Sequence, residues 1–137
     1  MRGDPLPIFG DGTQSRAFSY VADVAIPIAH AGLTPEAYNQ VFNIGANEPV
    51  PINALVEELS RVVGKKLSVM HLPERHEVQH AFSSHEKAWT AFGHLIHATP
   101  LAEGLRRTVR WAWTAKPRDV RRFANIEICQ GLPPSWN

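Results

Sequence analysis

One stretch of the sequence has the residue types and the spacing of a metal-dependent hydrolase. The run His76-Glu77-Val78-Gln79-His80 satisfies the pattern H-E-x-x-H. Two histidines one helical turn apart can hold Zn²⁺, and the glutamate between them can act as a general base. This chemistry requires a helix, because only a helix turns both imidazoles to the same face.

The residues around this pattern do not favour a helix. Pro73 lies three residues upstream, and residues 67–72 have the composition of a strand. No second histidine motif follows, and Glu103 is the best-spaced acidic residue for a third ligand. We therefore predict no metal site, and a zinc hydrolase stays only as an alternative reading of the pattern.

Length, composition and charge restrict the other possibilities. The chain has 137 residues, a formal net charge of +1 and 44% hydrophobic residues, which predicts one domain with a modest core. The charge balance gives no reason to expect nucleic acid or a membrane as partner. The single cysteine, Cys129, cannot form an internal disulfide, and the N-terminus lacks signal-peptide character. We expect a cytoplasmic protein.

Strand and helix patterns alternate in units of about 30 residues, which predicts an α/β or α+β domain with a few short strands and about four helices. The clearest helix is expected over 52–63, where the apolar residues form one stripe that ends at Gly64. A strand over 15–21 would place Arg16 and Tyr20 on one face. Residues 6–9 are a short apolar run that stops at Gly10, and other strands are expected at 41–44 and 67–72. Other helices are expected at 24–31 with Asp23 as the N-cap, after the capping-box spacing of Ser83 and Glu86, and from Thr99-Pro100. The domain is expected to cover 1–116, with an extended tail at 117–137.

The glycines do not form a nucleotide-binding turn. None of the nine belongs to a G-x-G-x-x-G run or a P-loop, and there is no G-x-S-x-G elbow. Gly10-Asp11-Gly12 lacks the third glycine and leads into the strand expected over 15–21 rather than into a helix. We therefore predict that this chain itself binds no dinucleotide cofactor.

Several short motifs nevertheless stand in a recognisable order. Together they resemble the substrate-binding, C-terminal part of NAD-dependent sugar-nucleotide epimerases, dehydratases and decarboxylases, which are extended short-chain dehydrogenase/reductases. The opening motif is the segment from Pro7 to Asp23, with Gly10-Asp11-Gly12-Thr13-Gln14-Ser15-Arg16 at its centre. The later motifs are Phe42-Asn43-Ile44-Gly45, Arg75-His76-Glu77-Val78, Lys87-Ala88 with Phe92-Gly93, and Glu103-Gly104-Leu105 with Trp111.

The resemblance implies a C-terminal lobe without the Rossmann domain that holds NAD in the full-length enzymes. It implies binding of a nucleotide-sugar, a UDP- or dTDP-sugar. The family's catalytic Tyr-x-x-x-Lys pair is absent, because Tyr20 and Tyr38 are followed four residues later by Val24 and Phe42. The chain is therefore expected to be catalytically incomplete, with no catalytic residue of its own. The reaction of the parent enzyme, an isomerase or a lyase, stays open.

The resemblance also implies site residues. Arg16 and Arg75 would clamp the diphosphate, which suits the forked donors of arginine. Tyr20 would line the sugar-nucleotide site or contact the ligand through its hydroxyl, Asn43 would hydrogen-bond the ribose or base, and Gln14 would add a polar contact. Two departures blur the choice of sugar. Ala17 stands where many relatives have Asp, and Ser84 stands where an Asp is common.

Two further hypotheses remain beside this one. One is a non-catalytic binding or oligomerisation module derived from the same family, and the other, on the H-E-x-x-H pattern alone, is a zinc hydrolase. The expected partners are a nucleotide-sugar and either a second copy of the chain or the missing Rossmann half, because a domain without its packing partner exposes apolar surface.

Overall fold

The computed structural model describes residues 3–115, so the tail expected at 117–137 lies outside the described residues. In that part of the chain, five short strands and four α-helices form a small mixed α/β domain, as expected. Two single 3₁₀ turns follow the first helix. The elements in chain order are β1 Leu6–Phe9, β2 Ser15–Ala17, α1 Val21–His30, β3 Pro49–Pro51, α2 Ile52–Val63, β4 Val69–Leu72, β5 His80–Ala81, α3 Glu86–Phe92 and α4 Leu101–Ala115.

The strands form two small sheets. In the first, β1 runs parallel to β4, with Leu6 opposite Val69 and Phe9 opposite Leu72. In the second, β2 is the central strand, antiparallel to β3 and parallel to β5. Arg16 therefore lies between Val50 on one side and Ala81 on the other. This pairing brings the segment around residue 80 beside the segment around residue 16.

The buried core of the described residues is small. Ile8 on β1 and Ala88 and Phe92 on α3 are its apolar members, and the Phe42 ring meets Phe92 edge-on at 5.1 Å between centroids. Pro27 within α1 is also fully buried. Helices α2 and α4 pack against each other through their apolar stripes.

Helix α2 begins and ends at the residues that its periodicity predicts, with Gly64 in the left-handed conformation at φ 72°. Strand β2 is shorter than expected and ends at Ala17, because its partners β3 and β5 offer only three and two residues. Residues 41–44 form no strand, since no described strand pairs with them. The sequence patterns also missed β3 and β5, which are too short to show alternation.

Two predicted helix caps are wrong. Asp23 lies in the first turn of α1, and its carboxylate accepts hydrogen bonds from the Thr99 backbone N–H (2.9 Å) and hydroxyl (2.8 Å) instead. This contact ties α1 to the segment that opens α4. The capping box at Ser83 and Glu86 does not form, because the Ser83 hydroxyl bonds the ring of His85. A tertiary contact thus replaced the first cap, and a bond between residues two apart in the chain replaced the second.

The β1–β2 turn gives a test of this fold. Gly12 has φ +79°, and a Cβ there would overlap the Asn53 side-chain amide, which donates a hydrogen bond to the Asp11 carbonyl. We predict that Gly12→Ala lowers the free energy of unfolding by about 2 kcal/mol, from backbone strain plus the displaced hydrogen bond. Gly64→Ala, at φ +72° with open space around it, should cost about 1 kcal/mol from strain alone.

Urea unfolding of the two variants measures this difference. In a Gly12→Ala/Asn53→Ala double variant the two costs should not add, because the hydrogen bond is already gone. Equal losses for Gly12→Ala and Gly64→Ala, or strict additivity in the double variant, would contradict the turn geometry.

Candidate functional site

Arg16 lies at the centre of the candidate site and is held by three acceptors. Its Nη1 donates to the Ser15 carbonyl at 2.7 Å and the Gln79 carbonyl at 3.3 Å, and its Nη2 forms an ion pair with Glu77 at 2.9 Å. The Arg16 side chain keeps 28% of its surface exposed. One edge of the guanidinium thus fixes the 77–79 segment to β2.

The segment from Arg75 to His80 is also tied to the end of β1 and to the turn between β1 and β2. The Arg75 guanidinium carbon stands 3.2 Å above the centre of the Phe9 ring, as in a cation–π contact. The Gln79 amide donates to the Thr13 hydroxyl at 2.9 Å. Residues 76–79 are not helical and His80 begins β5, so the H-E-x-x-H pattern lacks the helix that zinc hydrolysis needs.

Gln14 belongs to the same set of contacts, and its side-chain amide stabilises the turn between β1 and β2. Its Nε2 donates to the carbonyl of Phe9 at 2.8 Å, and Phe9 is also the residue whose ring Arg75 stacks on. In the same turn, hydrogen bonds from the Thr13 hydroxyl and backbone N–H hold the pKa of the Asp11 carboxyl below its usual value. The structure therefore brings Gln14, Arg16 and Arg75 together.

Tyr20 and Asn43 lie apart from this set. The prediction that Arg16 and Tyr20 share one face of a strand is wrong, because β2 ends at Ala17 and Tyr20 is the N-cap residue of α1. The Tyr20 ring packs against α4 beside Gly104, with the Arg107 guanidinium 5.4 Å from its centre. Asn43 is exposed in the loop after the 3₁₀ turns, and none of the described side-chain hydrogen bonds involves it.

A groove of about 370 Å³ opens beside Arg16 and contains residues that the sequence did not indicate. His85 lies at its base, only 6% exposed, with Nδ1 2.8 Å from the Asn47 amide oxygen and Nε2 3.1 Å from the Ser83 hydroxyl. A Cβ at Gly45 would crowd both His85 and the Ser19 hydroxyl. His85 is one of six histidines between 71 and 97, so the sequence carries no signal for its burial.

A second, larger groove of about 640 Å³ lies between the start of α1 and helix α4. Its walls are mainly apolar and include Val21, Leu55 and Trp111, with Tyr20 and Arg107 at its rim. Arg107 hydrogen-bonds Glu103 at 2.7 Å and thereby lowers the pKa of that carboxyl. This groove is separate from the contacts that surround Arg16.

The described residues do not fit the pyrophosphate of NAD. The turn with two glycines, Gly10 and Gly12, has positive φ at both, but it joins two strands, β1 and β2. A dinucleotide turn instead leads into a helix, whose N-terminal N–H groups bind the phosphates. No group of three or more His, Cys, Asp or Glu residues that could hold a metal ion occurs among residues 3–115.

Comparisons with known proteins agree with the fold. The chain is 36% identical over 113 residues to the UDP-glucuronate 4-epimerase of Thermodesulfobacterium geofontis, a match that covers 79% of this chain and 33% of the relative. The UDP-glucuronic acid 4-epimerase of Bacillus cereus, solved in complex with UDP-glucuronic acid and NAD, is 28% identical with a TM-score of 0.74, over 83% of this chain and 37% of that one.

The UDP-glucose 4-epimerase of Thermotoga maritima, solved with UDP-glucose, is 31% identical with a TM-score of 0.69, over 83% of this chain and 36% of that one. No family model matches the chain. In fold and in sequence the chain is similar to part of the extended short-chain dehydrogenase/reductases. The chain is homologous to the C-terminal portion of the NAD-dependent epimerase/dehydratase enzymes, which confirms the resemblance, and it spans about a third of the length of these relatives.

The helices of residues 3–115 include none that is both long and apolar enough to cross a membrane.

The hydrogen bonds of His85 make its contribution to the site testable. Replacement of His85 by Leu leaves the Asn47 amide oxygen and the Ser83 hydroxyl without their hydrogen-bond partner. We predict that His85→Leu lowers the free energy of unfolding by about 1–3 kcal/mol in urea titrations. His94→Leu, at an exposed histidine after α3, is the matched control and should change stability by less than about 0.5 kcal/mol. Equal effects would show that the His85 contacts do not stabilise the groove.

Proposed function

We propose that the chain supplies the nucleotide-sugar-binding part of a UDP-sugar epimerase or a related enzyme. The observation that carries this proposal is that Gln14, Arg16 and Arg75, which the resemblance assigned to the ligand, are linked through Phe9 and the 75–79 segment. The relatives solved with UDP-glucuronic acid and with UDP-glucose support a UDP-sugar as the ligand class. A dTDP-sugar is the alternative within the same class.

The positions of the two arginines suit a diphosphate. Arg16 projects from the central strand of a sheet, and Arg75 rests on an aromatic ring, so both cations are held before a ligand arrives. Pre-positioned donors lose less conformational entropy on binding than free side chains do. Tyr20 and Asn43 do not belong to the contacts around Arg16 and stay in the proposal only as outer contacts of the sugar or the nucleoside.

Catalysis would require parts that these residues do not provide. Hydride transfer at a sugar carbon needs a nicotinamide in contact and a base for the hydroxyl proton. The chain has neither a dinucleotide turn nor a Tyr-x-x-x-Lys pair. We therefore propose that it binds the nucleotide-sugar without converting it, and that conversion requires a cofactor-binding part.

Arginine variants test the binding proposal. We expect that Arg16→Lys, which keeps the charge but loses the forked donors, and Arg75→Ala each weaken the binding of UDP-glucuronic acid by about tenfold. Isothermal titration of the full chain measures this affinity. Arg61→Ala on the exposed face of α2, where the arginine pairs with Glu57 and Glu58, is the control and should bind like the parent chain.

Two results would contradict the proposal. One is the absence of binding to UDP-glucuronic acid, UDP-glucose and a dTDP-sugar by the folded parent chain. The other is binding that neither Arg16→Lys nor Arg75→Ala weakens. Thermal unfolding of each variant shows whether a loss of binding comes from a loss of fold.

A second function, assembly through an apolar face, is favoured by a separate observation. Helix α1 is apolar on its exposed side, where Val21 (69% exposed), Ala25 and Ile28 (59%) follow helical spacing. Trp111, 67% exposed, shares a groove with Val21 and extends this face. Large exposed apolar patches mark interfaces. We propose that a cofactor-binding part or a second copy of the chain covers it.

Sedimentation velocity of the free chain tests this assembly. We expect association that a Val21→Lys/Ile28→Lys variant reduces at least about tenfold in its association constant, because buried lysines would lack partners. A Val41→Lys/Val78→Lys variant adds the same charge at exposed loop positions outside this face and should associate like the parent. A parent chain that is monomeric at all concentrations tested would contradict self-association.

A further inference from the structure

The guanidinium of Arg16 is already occupied by the protein's own acceptors. Two backbone carbonyls bond its Nη1, and the Glu77 carboxylate bonds its Nη2. The carboxylate is the one charged partner among the described residues, and both side chains keep a share of their surface in solvent, 28% for Arg16 and 38% for Glu77. A phosphate that approaches Arg16 from solvent therefore meets a negative charge on the same guanidinium.

Arg75 offers a contrast in the same segment. Its guanidinium lies over the uncharged Phe9 ring, and within residues 3–115 no carboxylate forms an ion pair with it. The two arginines proposed for the diphosphate thus differ in the charge that surrounds them. Arg75 presents a full positive charge, whereas the charge of Arg16 is largely compensated by Glu77 at 2.9 Å.

The carboxylate is not the sole anchor of its segment. The Gln79 carbonyl accepts from the Ser15 N–H at 2.9 Å, and the Gln79 amide donates to Thr13 at 2.9 Å. His80 adds a bond to the Ser15 hydroxyl at 2.8 Å. These contacts hold the segment against β2 whatever residue stands at 77, so the fold itself does not require the charge of Glu77.

We infer that Glu77 is an intramolecular competitor of the ligand diphosphate at Arg16 and that it limits the affinity of the site for nucleotide-sugars. The inference rests on the proposed function. A diphosphate either displaces the carboxylate from Nη2 or binds beside it against like-charge repulsion, and both routes weaken binding. Glu77 is thus a residue that sets affinity through Arg16, without a role in any chemical step.

The test removes the negative charge of residue 77 and keeps its hydrogen bond to Arg16. Glu77→Gln retains an oxygen that can accept from Arg16 while removing the negative charge. Isothermal titration of the full chain with UDP-glucuronic acid, UDP and uridine should show about threefold tighter binding of the two diphosphates by this variant, and no gain for uridine, which carries no phosphate. The gain should shrink as salt is raised from about 50 to about 500 mM, because exposed charges become screened over this range.

The matched control is Glu74→Gln. It removes the same charge from the same segment, three residues upstream, where the glutamate lies beside Gly10 and forms no ion pair with the described residues. Its affinity for UDP should equal that of the parent. Thermal unfolding should give similar midpoints for all three proteins, since the Gln79 contacts remain.

The outcomes separate this inference from the function on which it rests. Tighter diphosphate binding by Glu77→Gln alone supports it. Unchanged or weaker binding by Glu77→Gln, while Arg16→Lys weakens binding, overturns the competitor role and leaves the proposed function intact. Equal gains for Glu77→Gln and Glu74→Gln also overturn it, because the effect would then be one of net charge. Absence of diphosphate binding in the parent and in both variants overturns the proposed function and this inference together.

Discussion

The pairing of β2 with β5 is the constraint on which the rest of the site depends. Ser15 and His80 are 65 residues apart in the chain, and their side chains meet at 2.8 Å because the two strands lie parallel. Parallel neighbours need a long connection, and here that connection contains α1, β3, α2 and β4. The Arg16 motif near the start of the sequence therefore meets the Arg75–Glu77 motif only through the fold of the long connection between them.

This dependence explains which parts of the fold the sequence could predict. Helix α2 follows from local rules, because its stripe and Gly64 determine its face and its end. Strands β3 and β5 have three and two residues and exist only through their partner β2. A distant partner also decides the role of Asp23, whose carboxylate bonds Thr99, 76 residues away, instead of capping its own helix. Tertiary contacts of this kind carry no signature in local spacing.

The site residues also differ in whether the sequence alone could indicate them. The ordered motifs indicated Gln14, Arg16 and Arg75, and the structure brings them together. The prediction for Tyr20 assumed that the strand continues to residue 21. It failed because the short partners of β2 end the strand at Ala17. His85 could not be found at all, because nothing but burial separates it from the five other histidines nearby. Motif order is a record of ancestry, whereas side-chain direction is a consequence of packing.

The H-E-x-x-H run shows how position decides the chemistry of a residue. In a helix, Glu77 would face a metal ion between two histidines. Here the backbone is extended into β5, so His80 bonds Ser15 and Glu77 turns to the nearest cation, Arg16. The carboxylate that would act as a base in one setting compensates, in the other, the charge of Arg16, which we propose binds phosphate. An acidic residue in such a loop lowers the affinity for an anionic ligand while it keeps the arginine ordered, and these two effects oppose each other in the same ion pair.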